Sequence, residues 1–199
     1  LIALGPYPPE AASATQAHRA AAPRASVIAG GAAFGVAPAA LTDTLGVDWA
    51  GAGDGERATV ALIDALAAGR DRGMVAGLVK RDAAGTRLVP PGGEAGLDTL
   101  PAMRVQDWID IRAYQRHGAT VPIQTKRGCV FKCVYCTYLN VEGWGYRLRD
   151  PDSVADEIAS LARERGVRRF EFVDSTFNSP PRHATAGCGA IVRRALRVP

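Results

Sequence analysis

The stretch of sequence that decides the fold lies at residues 124–136 and reads QTKRGCVFKCVYC. Cys129, Cys133 and Cys136 form a CxxxCxxC array within it, and an extended segment at residues 121–125 leads into the array. The array therefore lies in a loop that follows a strand. Three thiolates at this spacing can converge on one metal centre. An iron–sulfur cluster usually takes four thiolates, so a cluster held by these three keeps one iron open to a small molecule.

The spacing of the cysteines leaves other interpretations open. A zinc site completed by His183 or Cys188 would make the chain a zinc-stabilised, non-catalytic binding module, although zinc ribbons more often use paired CxxC knuckles and no second pair is present. A disulfide within the array would leave one thiol unpaired. An electron-transfer iron–sulfur protein usually has a fourth cysteine nearby, and none lies within fifty residues of Cys136 outside the motif. Cys188 falls in a helical pattern, which favours a small buried side chain.

The composition of the chain excludes several classes of protein. With 199 residues and 47% hydrophobic content it is too apolar for a disordered tail, and its 4 cysteines are too few for a disulfide-built scaffold. The sequence contains no run of about 18 uninterrupted apolar residues, so we expect no membrane-spanning segment. The net charge of +4 is spread along the chain and gives no nucleic-acid signature. No secretory signal peptide is recognisable, so we expect a cytoplasmic protein.

The first part of the chain alternates strands with helices. The pattern predicts a buried strand that ends at Gly30 and Gly31, a helix over residues 37–45 that ends at Gly46, and a further helix over residues 57–68. This alternation indicates a parallel α/β layer.

The same patterns divide the chain into three parts. The α/β layer takes residues 1–68. Residues 69–100 contain the two strands of a hairpin and then a Pro- and Gly-rich connector. Residues 101–199 follow the order strand, loop, helix, strand and helix, with the helices at 153–165 and 181–197.

The cysteine loop and the segments after it resemble the radical S-adenosylmethionine (SAM) enzymes. These enzymes carry a CxxxCxxC array after the first strand of their barrel, with an aromatic residue directly before the last cysteine, and Tyr135 occupies that place. Residues 147–151 (RLRDP) and 154–158 (VADEI) are similar to the first helix of the superfamily. Residues 172–178 (FVDSTFN) resemble its second strand, which carries a polar SAM-contacting motif. The resemblance spans about residues 97–199.

The resemblance implies a mechanism and its cofactors. Cys129, Cys133 and Cys136 would hold a 4Fe–4S cluster, and the methionine part of SAM would chelate the remaining iron. An electron from the reduced cluster would break the sulfonium bond and give methionine and a 5′-deoxyadenosyl radical, which would abstract a hydrogen from a small-molecule or other unidentified substrate. This chemistry needs an electron donor such as a flavodoxin or a ferredoxin. Because the cofactor carries the reaction, the resemblance assigns no catalytic residue.

The same resemblance gives roles to further residues. Tyr135 would lie against the adenine of SAM. Asp174 would accept a charge-assisted hydrogen bond from the amino group of SAM, and a helix-capping or turn role is the alternative. Lys126 and Arg127 would offset the negative charge of the cluster or stay solvated.

Three segments of the first part resemble the later portion of the cobalamin-binding domains that precede many radical SAM barrels. They are residues 27–31 (VIAGG), 45–48 (LGVD) and 53–56 (GDGE). Those domains are Rossmann-like, and Gly30 with Gly31 would let the backbone approach a nucleotide-like tail at the carboxyl edge of the sheet. The Asp-x-His-x-x-Gly motif that supplies a cobalt ligand in such domains is not present in the sequence. We therefore expect no cobalt ligand from this chain, and an ordinary glycine turn is the alternative.

We thus predict an α/β fold, in which a partial Rossmann-like domain of the cobalamin-binding type is followed by the first βα units of a radical SAM partial TIM barrel. Because the sequence starts at Leu1 and stops directly after a helix-like run, we expect an internal fragment of a longer protein. Two strands do not close a barrel and leave apolar faces uncovered, so we expect the fragment alone to be inactive.

Overall fold

The computed structural model of the chain describes residues 2–3, 8–71, 75–83, 85–90, 96–101 and 103–196. These residues belong to two compact units. The first unit takes Leu1–Glu94 together with Lys132–Gly143, and the second takes Ala95–Phe131 together with Trp144–Pro199. No helix in these described ranges has the length and apolar character needed to cross a membrane.

A five-stranded sheet forms the frame of the first unit. Its strands are, in chain order, β1 (Ile2–Ala3), β2 (Ile28–Gly30), β3 (Trp49–Gly51), β4 (Leu78–Asp82) and β5 (Gly85–Leu88). The first three run parallel, and β4 and β5 add an antiparallel hairpin beside β3. The parallel layer and the hairpin both follow the sequence prediction. The predicted boundaries at residues 68 and 100 stay predictions, and residues 91–95 of the predicted connector lie outside the described residues.

Helices cover both faces of this sheet, because successive strand residues point to opposite sides. The helices are α1 (Pro8–Ala21), α2 (Ala32–Val36), α3 (Pro38–Leu45) and α4 (Gly55–Ala67). On one face Ala29 shares a buried apolar cluster with Phe34 of α2, and on the other Ile28 shares a cluster with Leu62 of α4. Burial on both faces is what an apolar parallel sheet requires. Gly46 ends α3 in the left-handed conformation, with φ 64°, as the sequence predicts.

The second half of the chain contains a smaller parallel pair of strands and two long helices. In chain order its elements are two 3₁₀ turns (Leu97–Thr99 and Val105–Asp107), α5 (Ile111–Arg116), β6 (Val121–Ile123), β7 (Lys126–Arg127), α6 (Tyr138–Glu142), β8 (Arg147–Leu148), α7 (Pro151–Arg165), β9 (Phe170–Phe172) and α8 (Pro181–Arg193). Strand β6 pairs parallel with β9, and β7 pairs antiparallel with β8. These elements belong to the second unit, except for α6, which belongs to the first. Helix α8 ends before the predicted position, and residue 197 lies outside the described residues.

The helix α7 shows how local sequence fixes this part of the fold. Asp150 caps its start by accepting a hydrogen bond from the backbone N–H of Ser153 at 3.0 Å, and Pro151 is its first residue. Gly166 ends it with φ 66°. Its apolar face packs with β6 in one buried cluster, which includes Val154, Ile158, Leu161, Val121 and Ile123. The chain as described is thus a mixed α/β fold with parallel sheets, as the sequence predicts.

Candidate functional site

The loop that carries the cysteines is closed at its neck by a short antiparallel ladder. Strands β7 and β8 pair Lys126 with Leu148, and beyond them Cys129 forms a single β-bridge with Trp144. The N–H of Gly145 donates to the carbonyl oxygen of Cys129 at 3.1 Å. We call residues 128–146 the cysteine loop. The loop follows a strand, as predicted. The short ladder brings the end of the loop back beside its start.

The three cysteines of this loop differ in burial. Cys129 is buried, whereas Cys133 and Cys136 are exposed, and none of the three is in a disulfide. Cys133 and Cys136 share one turn, in which the N–H of Cys136 donates to the carbonyl oxygen of Cys133 at 3.1 Å. Among the described residues, no group of three or more His, Cys, Asp or Glu side chains is arranged to hold a metal ion. The convergence of the three thiolates therefore stays a prediction. Free thiols, two of them open to solvent in one turn, are a suitable donor set for an iron–sulfur cluster.

The side chains between the last two cysteines are also open to solvent. Tyr135, predicted to lie against the adenine of SAM, is 87% exposed, and Val134 beside it is fully exposed. Burial raises the pKa of the Tyr138 phenol at the start of α6, and the charges of Glu142 and Cys136 raise it further. Tyr138 is therefore a neutral hydroxyl at physiological pH. The exposed ring of Tyr135 is available to stack on a ligand, and its predicted role stays a prediction.

Lys126 lies buried at the base of the cysteine loop. Its side chain is 1% exposed, and its Nζ donates to Asp174 Oδ2 at 3.3 Å. The same Nζ donates to the carbonyl oxygens of Thr176 at 2.5 Å and of Phe177 at 3.4 Å, and it lies 5.7 Å from the ring centroid of Tyr146. The prediction that Lys126 stays solvated is wrong, because a carboxylate and two carbonyl oxygens receive its ammonium group inside the second unit.

The carboxylate of Asp174 is fully buried and accepts four hydrogen bonds. Oδ1 accepts from the backbone N–H of Thr125 at 2.7 Å and of Lys126 at 3.2 Å, and Oδ2 accepts from Thr125 Oγ1 at 2.6 Å as well as from Lys126 Nζ. These bonds tie the end of β9 to the segment between β6 and β7. Their partners are 49 and 48 residues away in the chain, so they differ from the local helix-capping or turn contacts that the sequence left as the alternative. The role of Asp174 toward the amino group of SAM stays a prediction.

Sequence reasoning missed the ion pair between Lys126 and Asp174, although a signal was present. Both residues follow parallel strands, β6 and β9, and the carboxyl ends of paired parallel strands meet at one edge of a sheet. A lysine and an aspartate at that edge are therefore close enough to pair. Ser175, the next residue, donates from Oγ to the carbonyl oxygen of Gly128 at 3.2 Å, so the end of β9 also holds the first residue of the cysteine loop.

The two residues that might have completed a zinc site have other surroundings. His183 is buried on α8, with Nε2 3.3 Å from both the carbonyl oxygen and Oγ1 of Thr125. Cys188 is exposed, so the prediction of a buried side chain there is wrong. The buried side of α8 carries His183 and Ala190. At 3.6 residues per turn, Cys188 is rotated by about 140° from His183 and about 160° from Ala190, so it lies on the opposite side of the helix. Nothing in the described residues supports the zinc interpretation.

Gly30 and Gly31 lie at the end of β2. Gly30 ends β2 at the carboxyl edge of the parallel strands, and a Cβ placed on it would meet no atom within 4 Å. Gly31 has φ 119°, a conformation that side chains other than glycine rarely adopt, and it caps α2. Gly30 thus leaves open space beside the sheet, and the role of the pair toward cobalamin stays a prediction.

Comparison with known proteins extends this picture. No family model matches the chain. It is 28% identical over 218 residues to the tryptophan 2-C-methyltransferase of Streptomyces laurentii, and the alignment covers 85% of this chain and 36% of the relative. It is 33% identical over 147 residues to the anaerobic magnesium-protoporphyrin IX monomethyl ester cyclase of Synechocystis, which covers 67% of this chain and 27% of the relative. The chain thus spans about a third of these curated relatives or less.

A solved structure matches nearly the whole chain. It is the radical SAM methyltransferase TsrM from Kitasatospora setae with cobalamin and a [4Fe-4S] cluster bound, with a TM-score of 0.81 and 29% identity over 95% of this chain and 37% of that one. A second structure of TsrM holds tryptophan as substrate and a SAM analogue. These relatives are enzymes, and they confirm the resemblance drawn from the cysteine motif and the glycine pair. By sequence and by fold, the chain is therefore similar to radical SAM enzymes, among them TsrM, whose structure holds cobalamin and a [4Fe-4S] cluster.

Proposed function

We propose that this chain contributes the cluster-binding loop and part of the cobalamin-binding domain to a radical SAM enzyme that acts on a small molecule. Cys129, Cys133 and Cys136 hold a 4Fe–4S cluster in this proposal. The observation that carries it is the cysteine loop, in which free thiols at the CxxxCxxC spacing follow the first strand of a βα unit. The similarity to TsrM over 95% of the chain supports it.

The residues around the loop prepare it for its cofactors. The cluster that Cys129, Cys133 and Cys136 would hold would supply, when reduced, the one electron that reductive cleavage of the sulfonium bond of SAM requires. The protein holds the loop in place through Lys126 and Asp174, and the exposed ring of Tyr135 offers a face for the adenine. An acceptor role for Asp174 toward SAM requires that it exchange one of its four present hydrogen bonds. A small electron-transfer protein, such as a flavodoxin or a ferredoxin, supplies the electron.

The cluster is tested by anaerobic reconstitution of the full-length protein, followed by iron and sulfide analysis and electron paramagnetic resonance of the reduced state. We expect about four irons per chain, and 5′-deoxyadenosine when SAM and a reductant are added. Replacement of Cys129, Cys133 or Cys136 by Ala removes both signals. Cys188→Ala is the matched control, because Cys188 is exposed but lies outside the loop, and it leaves both unchanged. Stoichiometric zinc without iron would contradict the proposal.

The cobalamin contact has a separate test at Gly30. Gly30→Ala and Gly30→Val place increasing volume into the open space beside β2. We expect both variants to keep the melting temperature of the cobalamin-free protein, because the first added atom meets no neighbour. Titration with hydroxocobalamin, followed by absorbance, is expected to show weaker binding in the order Gly, Ala, Val. Equal affinity in all three proteins would mean that cobalamin does not approach Gly30.

A further inference from the structure

The short helices α2 and α6 pack closely at a single glycine. Gly35 lies in α2, and a Cβ placed on it would lie 2.5 Å from the carbonyl oxygen of Asn140 and 3.0 Å from Cα of Val141, both in α6. Ordinary contact of a Cβ atom begins at 3.4 Å, and both neighbours are backbone atoms, so no side-chain rotation relieves the clash. Only glycine lets the two backbones approach this closely.

The contact between α2 and α6 lies close in sequence to both candidate cofactor-binding segments. Helix α2 begins directly after the glycine pair, with Gly31 as its N-cap, and α6 begins two residues after Cys136. Both helices belong to the first unit, which includes residues 132–143 of the cysteine loop. The contact therefore joins the segment after the glycine pair to the segment after the last cysteine. Phe34, the neighbour of Gly35, is fully buried in the core of the first unit. Helix α2 is therefore held in place by the core, and α6 is the helix that a side chain at residue 35 would displace.

We infer that Gly35 is a positioning residue that sets how closely α6, the segment after Cys136, packs against α2 of the cobalamin-binding-type layer. This inference rests on the proposed function, in which Cys133 and Cys136 hold the cluster and Gly30 with Gly31 faces cobalamin. Gly35 contacts neither cofactor. It acts through α6, because any side chain at residue 35 pushes away the backbone that follows Cys136.

The first experiment measures amide hydrogen exchange in the full-length protein and needs neither cofactor. Gly35→Ala is expected to remove protection from the peptide that covers residues 137–143, while α4 keeps its protection because it lies on the other face of the sheet. Gly187→Ala is the matched control: Gly187 is also a helical glycine, but an added Cβ meets no atom within 4 Å. Unchanged exchange at 137–143 in Gly35→Ala, or an equal rise in α4, would overturn the inference.

A companion variant tests the backbone origin of the clash. Asn140→Ala combined with Gly35→Ala is expected to give no rescue, because the atom in the way is the carbonyl oxygen and not the side chain of Asn140. Recovery of protection in the double variant would overturn the assignment of the contact to the main chain.

The second experiment measures the distance between the bound cofactors. A reduced cluster and cob(II)alamin are both paramagnetic, so the cluster speeds the electron-spin relaxation of the cobalt. This effect decreases steeply as the distance between the cluster and the cobalt increases. In Gly35→Ala we expect full iron and cobalamin content with altered relaxation, and in Gly187→Ala both stay as in the wild type. Wild-type protein that binds no cluster or no cobalamin would refute the proposed function, and the exchange experiment would still judge the role of Gly35. Unaltered relaxation in a fully loaded Gly35→Ala protein would refute the inference alone.

Discussion

Replacement of Asp174 by asparagine is expected to destabilise the second unit strongly. The substitution keeps the shape of the side chain but removes the only carboxylate that contacts the Nζ of Lys126 among the described hydrogen bonds. With its oxygen at the Oδ1 position, the new amide still accepts from the N–H groups of Thr125 and Lys126. Its NH₂ group then faces the ammonium of Lys126, so two donors meet where a donor met an acceptor.

The magnitude follows from burial. The two side chains are 1% and 0% exposed, so water does not replace the lost partner. Removal of one member of a buried ion pair costs about 3–5 kcal/mol, whereas exposed pairs contribute roughly 0–1 kcal/mol. Since about 1.4 kcal/mol is a factor of ten in an equilibrium constant, the loss corresponds to a roughly hundredfold to several-thousandfold larger equilibrium constant for opening of the strands that the pair ties together.

Native-state hydrogen exchange of β6 and β9 measures this loss directly. The double variant Lys126→Met with Asp174→Asn completes a thermodynamic cycle and removes the charge from both sides. We expect the double variant to lose less free energy than the two single variants added together, because neither charge is left buried alone. Additive losses, or a loss of about 1 kcal/mol or less for Asp174→Asn, would refute the argument that burial makes this pair strong.

Three further predictions concern other parts of the chain. Cys133→Ser is expected to abolish the visible absorbance of the reconstituted cluster, and retained absorbance with full iron would show that this thiol is not a ligand. Asp150→Ala removes the cap that receives the N–H of Ser153 and is expected to cost about 1 kcal/mol, measured by denaturant unfolding; an unchanged midpoint would contradict the capping role. The hydrogen bond from Arg194 lowers the pKa of Asp152 below 3.8, so the stabilisation is present above 3.8 and is lost as the pH falls through the lower folded-state value. The melting temperatures of wild type and Asp152→Asn are therefore expected to differ at about pH 7 and to converge in strong acid, and a constant difference would contradict this.

Much of the fold was predictable because its signals are local. The end of α7 at Gly166 and its apolar face lie within one stretch of chain, and the helix begins at Pro151, two residues before the predicted start at residue 153. The hairpin of β4 and β5 and the end of α3 at Gly46 have equally local causes. Each of these features depends on neighbours a few residues away, which is the range over which capping, turn chemistry and periodicity act.

The candidate site was predictable only in part, because its contacts are distant in sequence. The cysteine spacing identified the loop, but Lys126 and Asp174 are 48 residues apart, and their pairing depends on the register that sets Ile123 opposite Phe172. The need for glycine at residue 35 arises from a helix that follows Cys136. The need for glycine leaves no pattern in the local sequence, and the signal for the ion pair, two strands whose carboxyl ends meet, becomes specific only once the register of β6 and β9 is known.

The two-residue ladder of β7 and β8 closes the cysteine loop at its neck, so the length of the loop does not determine the geometry of the neighbouring strands. Main-chain hydrogen bonds hold both ends of the cysteine loop. The entropic cost of closing a loop rises by only about 0.6 kcal/mol for each doubling of its length. A change in the length of the loop after α6 is therefore expected to leave β6 and β9 in their places.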